Sequence, residues 1–291
     1  MEKQQYILKN ANSFEPKHIF DCGQCFRWDK EKNGSYTGVI KNGVLNVKKQ
    51  NKDIVFSGVC DGDIQKICTE YFDLERDYED IKKNLSNVDD YLKESIDYGE
   101  GIRILNQDLW ETIISFIISA NNNIPRIKGI IKRISKAYGK KVVWEENDYY
   151  IFPTAKELSK ATKEDFRNLG TGFRDKYIFD TTKKVLNGDI NLQELHYESS
   201  TELVRKKLLQ LSGVGPKVAD CILLFSTLKR FDVFPIDVWV RRVMNDLYIK
   251  EADESKVEKS KIENLAKQKY GNLEGIAQQY LFYWRRESSV S

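Results

Sequence analysis

The chain has two histidines, two methionines and five prolines in 291 residues. His18 and His196 cannot supply the second ligand pair that a four-ligand zinc site around Cys22-x-x-Cys25 needs, so that spacing carries no metal. The five cysteines (Cys22, Cys25, Cys60, Cys68 and Cys221) are an odd, scattered set, and none follows residue 221. An iron–sulfur cluster on C-terminal cysteines is therefore excluded. With no N-terminal apolar run, a disulfide framework and secretion are not expected, and the chain reads as a reduced, cytoplasmic protein. The longest apolar stretch, "LWETIISFIISA", is broken by Glu111 and Thr112 and is too short to cross a bilayer, which predicts no membrane role. Nor is there a large excess of charge: 47 Lys+Arg against 44 Asp+Glu give a net charge of +3. Any surface for nucleic acid must be a local one.

The hydrophobic content, 41%, is ample for a core in a chain of this length. From Ser35 to Val59 three β-branched segments alternate with turn residues, and Asn42-Gly43 reads as the φ-positive pair of a tight hairpin. After about residue 62 the pattern changes to helical runs bounded by Gly, Asn and Pro. The fold class expected is α+β: an N-terminal antiparallel sheet domain over residues 1–98, then an all-α body over 99–291. In "IPRIKGIIKRISKAYGKK", Ile127, Ile131, Ile134 and Tyr138 mark one helix face, and Lys128, Lys132, Arg133, Lys136, Lys140 and Lys141 fill the other. That face is either solvated or turned toward polyanion.

The stretch "LSGVGPKVADCILLF" raises a sharper question. The preceding helix, with Leu203, Leu208 and Leu211 in period, stops at Gly213, and Pro216 opens the next one, giving a helix-hairpin-helix unit over about 201–227. Amides from Gly213 through Gly215 to Val218 would converge on a spot that suits a phosphate, although such a hairpin can also serve packing alone. Lys217 follows the turn directly. It could pair with Asp220 on the helix surface, or act as a nucleophile whose pKa the helix N-terminus lowers. Asp237, in "FPIDVWV", precedes an apolar-periodic helix, where a capping carboxylate would stay charged and could stabilise a developing cation.

These segments, with "CGQCFRW" (22–28), "FIISANNNIPRIKG" (116–129), "LGTGFRDKYI" (169–178) and "GIAQQYLF" (275–282), occur in an order that resembles the 8-oxoguanine DNA glycosylases of the helix-hairpin-helix superfamily. The resemblance implies a sheet domain on a two-lobed helical body, with DNA between the lobes. It implies a bifunctional enzyme: Lys217 attacks the deoxyribose C1′ to form a Schiff base, Asp237 assists, and β-elimination then cleaves the strand. The flipped base would offer its N7 hydrogen to the Gly23 carbonyl, lie between Cys221 and Phe282, and be read on its Watson–Crick edge by Gln278. Asn121, Arg126 and Arg174 would read the orphaned cytosine while Phe173 fills the gap in the stack. The carbonyls of Leu209, Leu211 and Val214 would hold a structural alkali or alkaline-earth ion, with no other cofactor required. The partner implied is double-stranded DNA containing 8-oxoguanine, bound by a monomer. Trp239 and Phe173 depart from the eukaryotic pattern, where a phosphate-contacting histidine and a tyrosine stand. The Lys-, Ile- and Asn-rich composition suggests a bacterial source. Two alternatives stay open: a glycosylase for another damaged base, and a non-catalytic DNA-binding protein that uses the hairpin only as a phosphate clamp.

Overall fold

The computed structural model describes residues 2–288. Five strands, β1 (Lys3–Leu8), β2 (Trp28–Lys30), β3 (Tyr36–Ile40), β4 (Gly43–Gln50) and β5 (Asp53–Cys60), form one antiparallel sheet in the order β1-β5-β4-β3-β2. The alternation in β3, β4 and β5 sends Tyr36, Leu45, Val47, Ile54 and Phe56 into a core with Phe14, Phe20, Trp28 and Phe72. The β3–β4 hairpin forms as expected, but its turn does not. Ile40 pairs with Gly43, so the loop is Lys41-Asn42, and Asn42 is not in the φ-positive region. Gly43 does take the expected positive φ, at 153°, and a Cβ there would also fall 2.1 Å from the Val59 carbonyl oxygen.

The helical body is not wholly helical. Lys141–Trp144 and Asn147–Tyr150 form a second, two-stranded sheet, whose Val142 and Trp144 cover Val39, Val44 and Val59 on the main sheet. Its turn is Glu145-Glu146, with φ of 45° and 65°, a pair without the Asn or Gly that usually marks such a turn. The helices Tyr78–Ser86 and Asp90–Tyr98 contribute Ile81, Leu85, Leu92 and Ile96 to the core of the body, which Cys22 and Phe26 join from the N-terminal segment. Leu105 goes the other way, into the core of the sheet. The two cores are thus interlaced. Among the described residues no helix is long and apolar enough to cross a membrane.

At the centre of the body lies the helix Leu109–Ser119, capped by Asp108 and apolar on nearly every side. It packs against the basic helix Ile124–Tyr138, which buries Ile127, Ile130, Ile131 and Ile134, and against Asp175–Leu186 and Pro216–Phe225, while Thr201–Leu208 lies on Pro216–Phe225 and Val238–Met244 on Glu274–Ser288.

Candidate active site

The helix-hairpin-helix forms where the glycines and proline place it. Ser200 caps Thr201–Leu208, the turn closes through Leu211 N–H to Leu208 (3.0 Å) and Val214 N–H to Leu211 (3.2 Å), and Pro216 starts the next helix. Gly213 has φ +83°, and a Cβ there would lie 2.9 Å from the Tyr177 ring. Gly215 has no such constraint and faces open space. As the N-cap residue it supplies no side chain to the first-turn amides, including that of Val218, which leaves them available to an anion. The Leu211 carbonyl accepts one hydrogen bond and keeps a second lone pair, and neutral carbonyl donors such as Leu209, Leu211 and Val214 suit a hard cation. Among the described residues, no three His, Cys, Asp or Glu side chains group as metal ligands.

Lys217 is half-buried at the head of this helix, with Nζ 5.6 Å from the centre of the Phe116 ring. Its pKa is raised, first by Cys221 one turn along the helix and then by Asp237, against the opposing effect of desolvation. This is opposite in direction to the lowering expected from the helix N-terminus. Burial pushes Cys221 up to about 11. At neutral pH the pair is therefore an ammonium beside a thiol, and the nucleophilic amine must be made by removing a proton. Asp237 takes the cap position predicted for it, Oδ1 accepting the Val240 N–H at 2.8 Å. Trp239, two residues on, has a buried indole N–H without a partner among the described residues.

Gly23, with φ +88°, follows the short helix Pro16–Asp21, and a Cβ on it would come 3.5 Å from Phe282 Cε1. Gln278 and Phe282 are one turn apart on Glu274–Ser288, and the buried Gln278 Oε1 has no partner among the described residues. An unpaired buried acceptor is costly, and here it marks a place for a donor. That helix approaches the lysine helix through Gly275, whose Cβ would lie 2.7 Å from Leu224 Cδ1. Cys221 and Gln278 each lie one turn from this contact. Phe26 meets Phe116 edge-on at 5.5 Å, which links the Gly23 loop to the ring beneath Lys217.

Three buried or half-buried glutamines, absent from the sequence-based site, tie these parts together. Gln24 donates to the Ile19 (2.9 Å) and Arg103 (2.8 Å) carbonyls and accepts from Leu105 N–H (2.9 Å). Gln107 donates to the Gln24 carbonyl at 2.8 Å and the Phe225 carbonyl at 3.0 Å, joining the Gly23 loop to the end of the lysine helix. Gln279 donates to the Cys22 carbonyl at 2.5 Å.

The residues expected at the opposite base gather on one surface. Phe173 is 54% exposed on the turn Gly172–Arg174, and the Arg126 guanidinium lies 3.8 Å from the Cβ position of Gly172. Asn121 is exposed with φ +51°. Arg174, by contrast, is only 2% exposed. Its Nε donates to Ala120 (3.0 Å), Nη1 to Thr171 (3.2 Å) and Nη2 to Asn121 (2.9 Å), all backbone carbonyls. Burial, and then Arg126 nearby, lower its pKa.

A lysine at the head of the second hairpin helix, with a helix-capping carboxylate near enough to raise its pKa, is the arrangement expected of a base-excision repair protein. Residues 6–113 match the model of the 8-oxoguanine DNA glycosylase N-terminal domain, and residues 114–280 match that of the HhH-GPD superfamily of base excision DNA repair proteins. A solved structure of Clostridium acetobutylicum 8-oxoguanine glycosylase/lyase, in complex with double-stranded DNA containing cytosine opposite 8-oxoguanine, is 45% identical and superimposes with a TM-score of 0.92 over 99% of this chain and 98% of that one. An N-glycosylase/DNA lyase of Saccharomyces cerevisiae is 34% identical over 78% of this chain and 66% of its own length. A probable N-glycosylase/DNA lyase of Methanothermobacter thermautotrophicus is 32% identical over 75% of this chain and 74% of its own. The chain belongs to the 8-oxoguanine glycosylase branch of the helix-hairpin-helix base-excision superfamily.

Proposed function

We propose that the protein is a bifunctional DNA glycosylase and abasic-site lyase that flips 8-oxoguanine, preferably opposite cytosine, out of double-stranded DNA and excises it. The observation that carries this reading is Lys217 at the head of the hairpin helix, its Nζ 5.6 Å from the centre of the Phe116 ring and its pKa raised by Cys221 and Asp237. After losing a proton, the amine bonds to C1′ as the C1′–N9 electron pair departs with the base, which takes up a proton. Asp237 stabilises the positive charge that develops on the sugar. The ring oxygen then leaves C1′, giving an imine. Removal of a C2′ proton expels the 3′ phosphate, and water releases the protein. The unpaired Gln278 Oε1 offers an acceptor to the Watson–Crick N–H groups of the flipped purine.

The reading needs one copy of the chain, acting as a monomer. Five buried thiols agree with a reducing compartment. The hairpin carbonyls of Leu209, Leu211 and Val214 would hold an alkali or alkaline-earth ion that helps to fix a phosphate, and the chemistry itself calls for no cofactor. The test is borohydride trapping on an 8-oxoguanine:cytosine duplex. A covalent protein–DNA adduct is expected from the parent and none from Lys217→Gln, which keeps the hairpin and the pocket. Undiminished trapping in that variant overturns the assignment.

A further inference from the structure

Two side chains of the helix Glu274–Ser288 reach back to the loop that carries Gly23. Gln279, 2% exposed, donates Nε2 to the Cys22 carbonyl at 2.5 Å. Arg286, two turns further on, donates Nη2 to the Asp21 carbonyl. Its Nη1 lies 3.2 Å from the Cβ position of Gly23, and its guanidinium lies 5.4 Å from the centre of the Phe282 ring. Glu287 braces the same guanidinium at 3.0 Å. On the far side of Gly23, the Gln24 amide is fixed to Ile19, Arg103 and Leu105. The Gly23 peptide is thus a φ-positive link between anchored neighbours, in a residue that is otherwise the least constrained of all.

We propose that Gln279 and Arg286 are positioning residues that hold the Gly23 backbone beside Phe282, so that recognition of the damaged base depends on both. The inference rests on the proposed function and on the family resemblance, which implies that the Gly23 carbonyl accepts the N7 hydrogen that guanine lacks. Hydrogen bonds weaken steeply with lost alignment, and a misplacement of about 1 Å can cost on the order of a hundredfold in rate. Neither side chain needs to touch the base. Each acts through a backbone carbonyl, one or two residues before Gly23. Phe282 is held from the same guanidinium, so the ring and the Gly23 backbone are set by one group.

The experiment compares two single-turnover reactions of the full chain: base release from 8-oxoguanine:cytosine duplex, and strand cleavage at a preformed abasic site, which needs Lys217 but no base recognition. Gln279→Leu and Arg286→Met should each slow base release on the order of tenfold or more while abasic-site cleavage stays within about twofold. Arg286→Lys, which retains a donor, should recover most of the loss. Arg286 is near the surface, so its variants report even where Gln279→Leu fails to fold. An equal fall in both reactions overturns the inference in favour of a general structural role, and base release at the parent rate overturns it outright. A parent that cleaves abasic sites without releasing 8-oxoguanine would overturn the function itself, and is distinguishable from either.

Discussion

Arg174 donates Nη2 to the carbonyl of Asn121 at 2.9 Å, directly beyond the end of the central helix. Through that bond, and those to Ala120 and Thr171, the Phe173 turn is pinned to the segment that carries Asn121. Arg126 is exposed on the same surface, its guanidinium beside Gly172. Arg126 is free to reach a base edge, whereas Arg174 also supports the surface from which it would reach.

The two arginines should therefore separate on mutation. Arg126→Leu should reduce the preference for excision opposite cytosine over adenine by about 1–3 kcal/mol, the range for a bidentate base contact, with thermal stability unchanged. Arg174→Leu removes the three side-chain bonds that tie Ala120, Asn121 and Thr171 together and should cost about 1–3 kcal/mol of stability as well. A four-partner excision series at fixed salt, beside thermal melts, checks both. Equal melting temperatures for the two variants would contradict the support role.

Asp237→Asn retains an oxygen for the Val240 N–H but loses the charge. Its stability should fall by less than about 1 kcal/mol, below the usual cost of deleting a cap. Base release should slow roughly 10²-fold, as when an electrostatic group is removed from a transition state. Single-turnover rates and denaturant melts on the same preparation measure the two effects. Unchanged turnover would reduce Asp237 to a cap.

Cys221 is the first contributor to the raised pKa of Lys217, so Cys221→Ala should lower it. The neutral amine accumulates above that pKa, and the alkaline rise of the rate should move to lower pH in the variant. Cleavage of a preformed abasic site is the proper readout, because the family resemblance also sets Cys221 against the flipped base. A limb that stays in place would mean that Cys221 does not govern the amine.

Glu111 lies in the apolar central helix, 3.8 Å from Arg27, and burial pushes it up to about 7. The folded protein then holds this proton more tightly than the unfolded chain, whose carboxyl titrates near 4.3. Stability falls as pH rises between those values and levels off above. Glu111→Gln should flatten that decline in denaturation midpoints between pH 5 and pH 7.5. It should not abolish it, because burial also raises Glu274 to about 7.

The strands β3 to β5 and the helix-hairpin-helix were legible because alternation, Gly213 and Pro216 act locally. Glu145-Glu146 gave no turn signal, and Asn42 was read as half of a φ-positive pair when only Gly43, already paired with Ile40, has positive φ. Lys217 and Asp237 could be related only through the family resemblance, since no periodicity spans the 20 residues between them. The sign of the Lys217 shift was misread because Cys221 and Asp237 act through space, whereas the helix dipole is visible in the sequence. Gln24, Gln107 and Gln279 were invisible for a simpler reason. A glutamine that anchors buried carbonyls looks, in sequence, like one that faces water.

The bond from Gln279 to the Cys22 carbonyl spans 257 positions. During synthesis the sheet, the hairpin, Lys217 and Asp237 all leave the ribosome before the helix that carries Gln278 and Phe282. A chain interrupted before that helix would hold its amine and carboxylate but lack the wall that examines a base. The order of the polypeptide thus separates reactivity from selectivity: the nucleophile is made first, and the residues expected to examine the base arrive with a later helix.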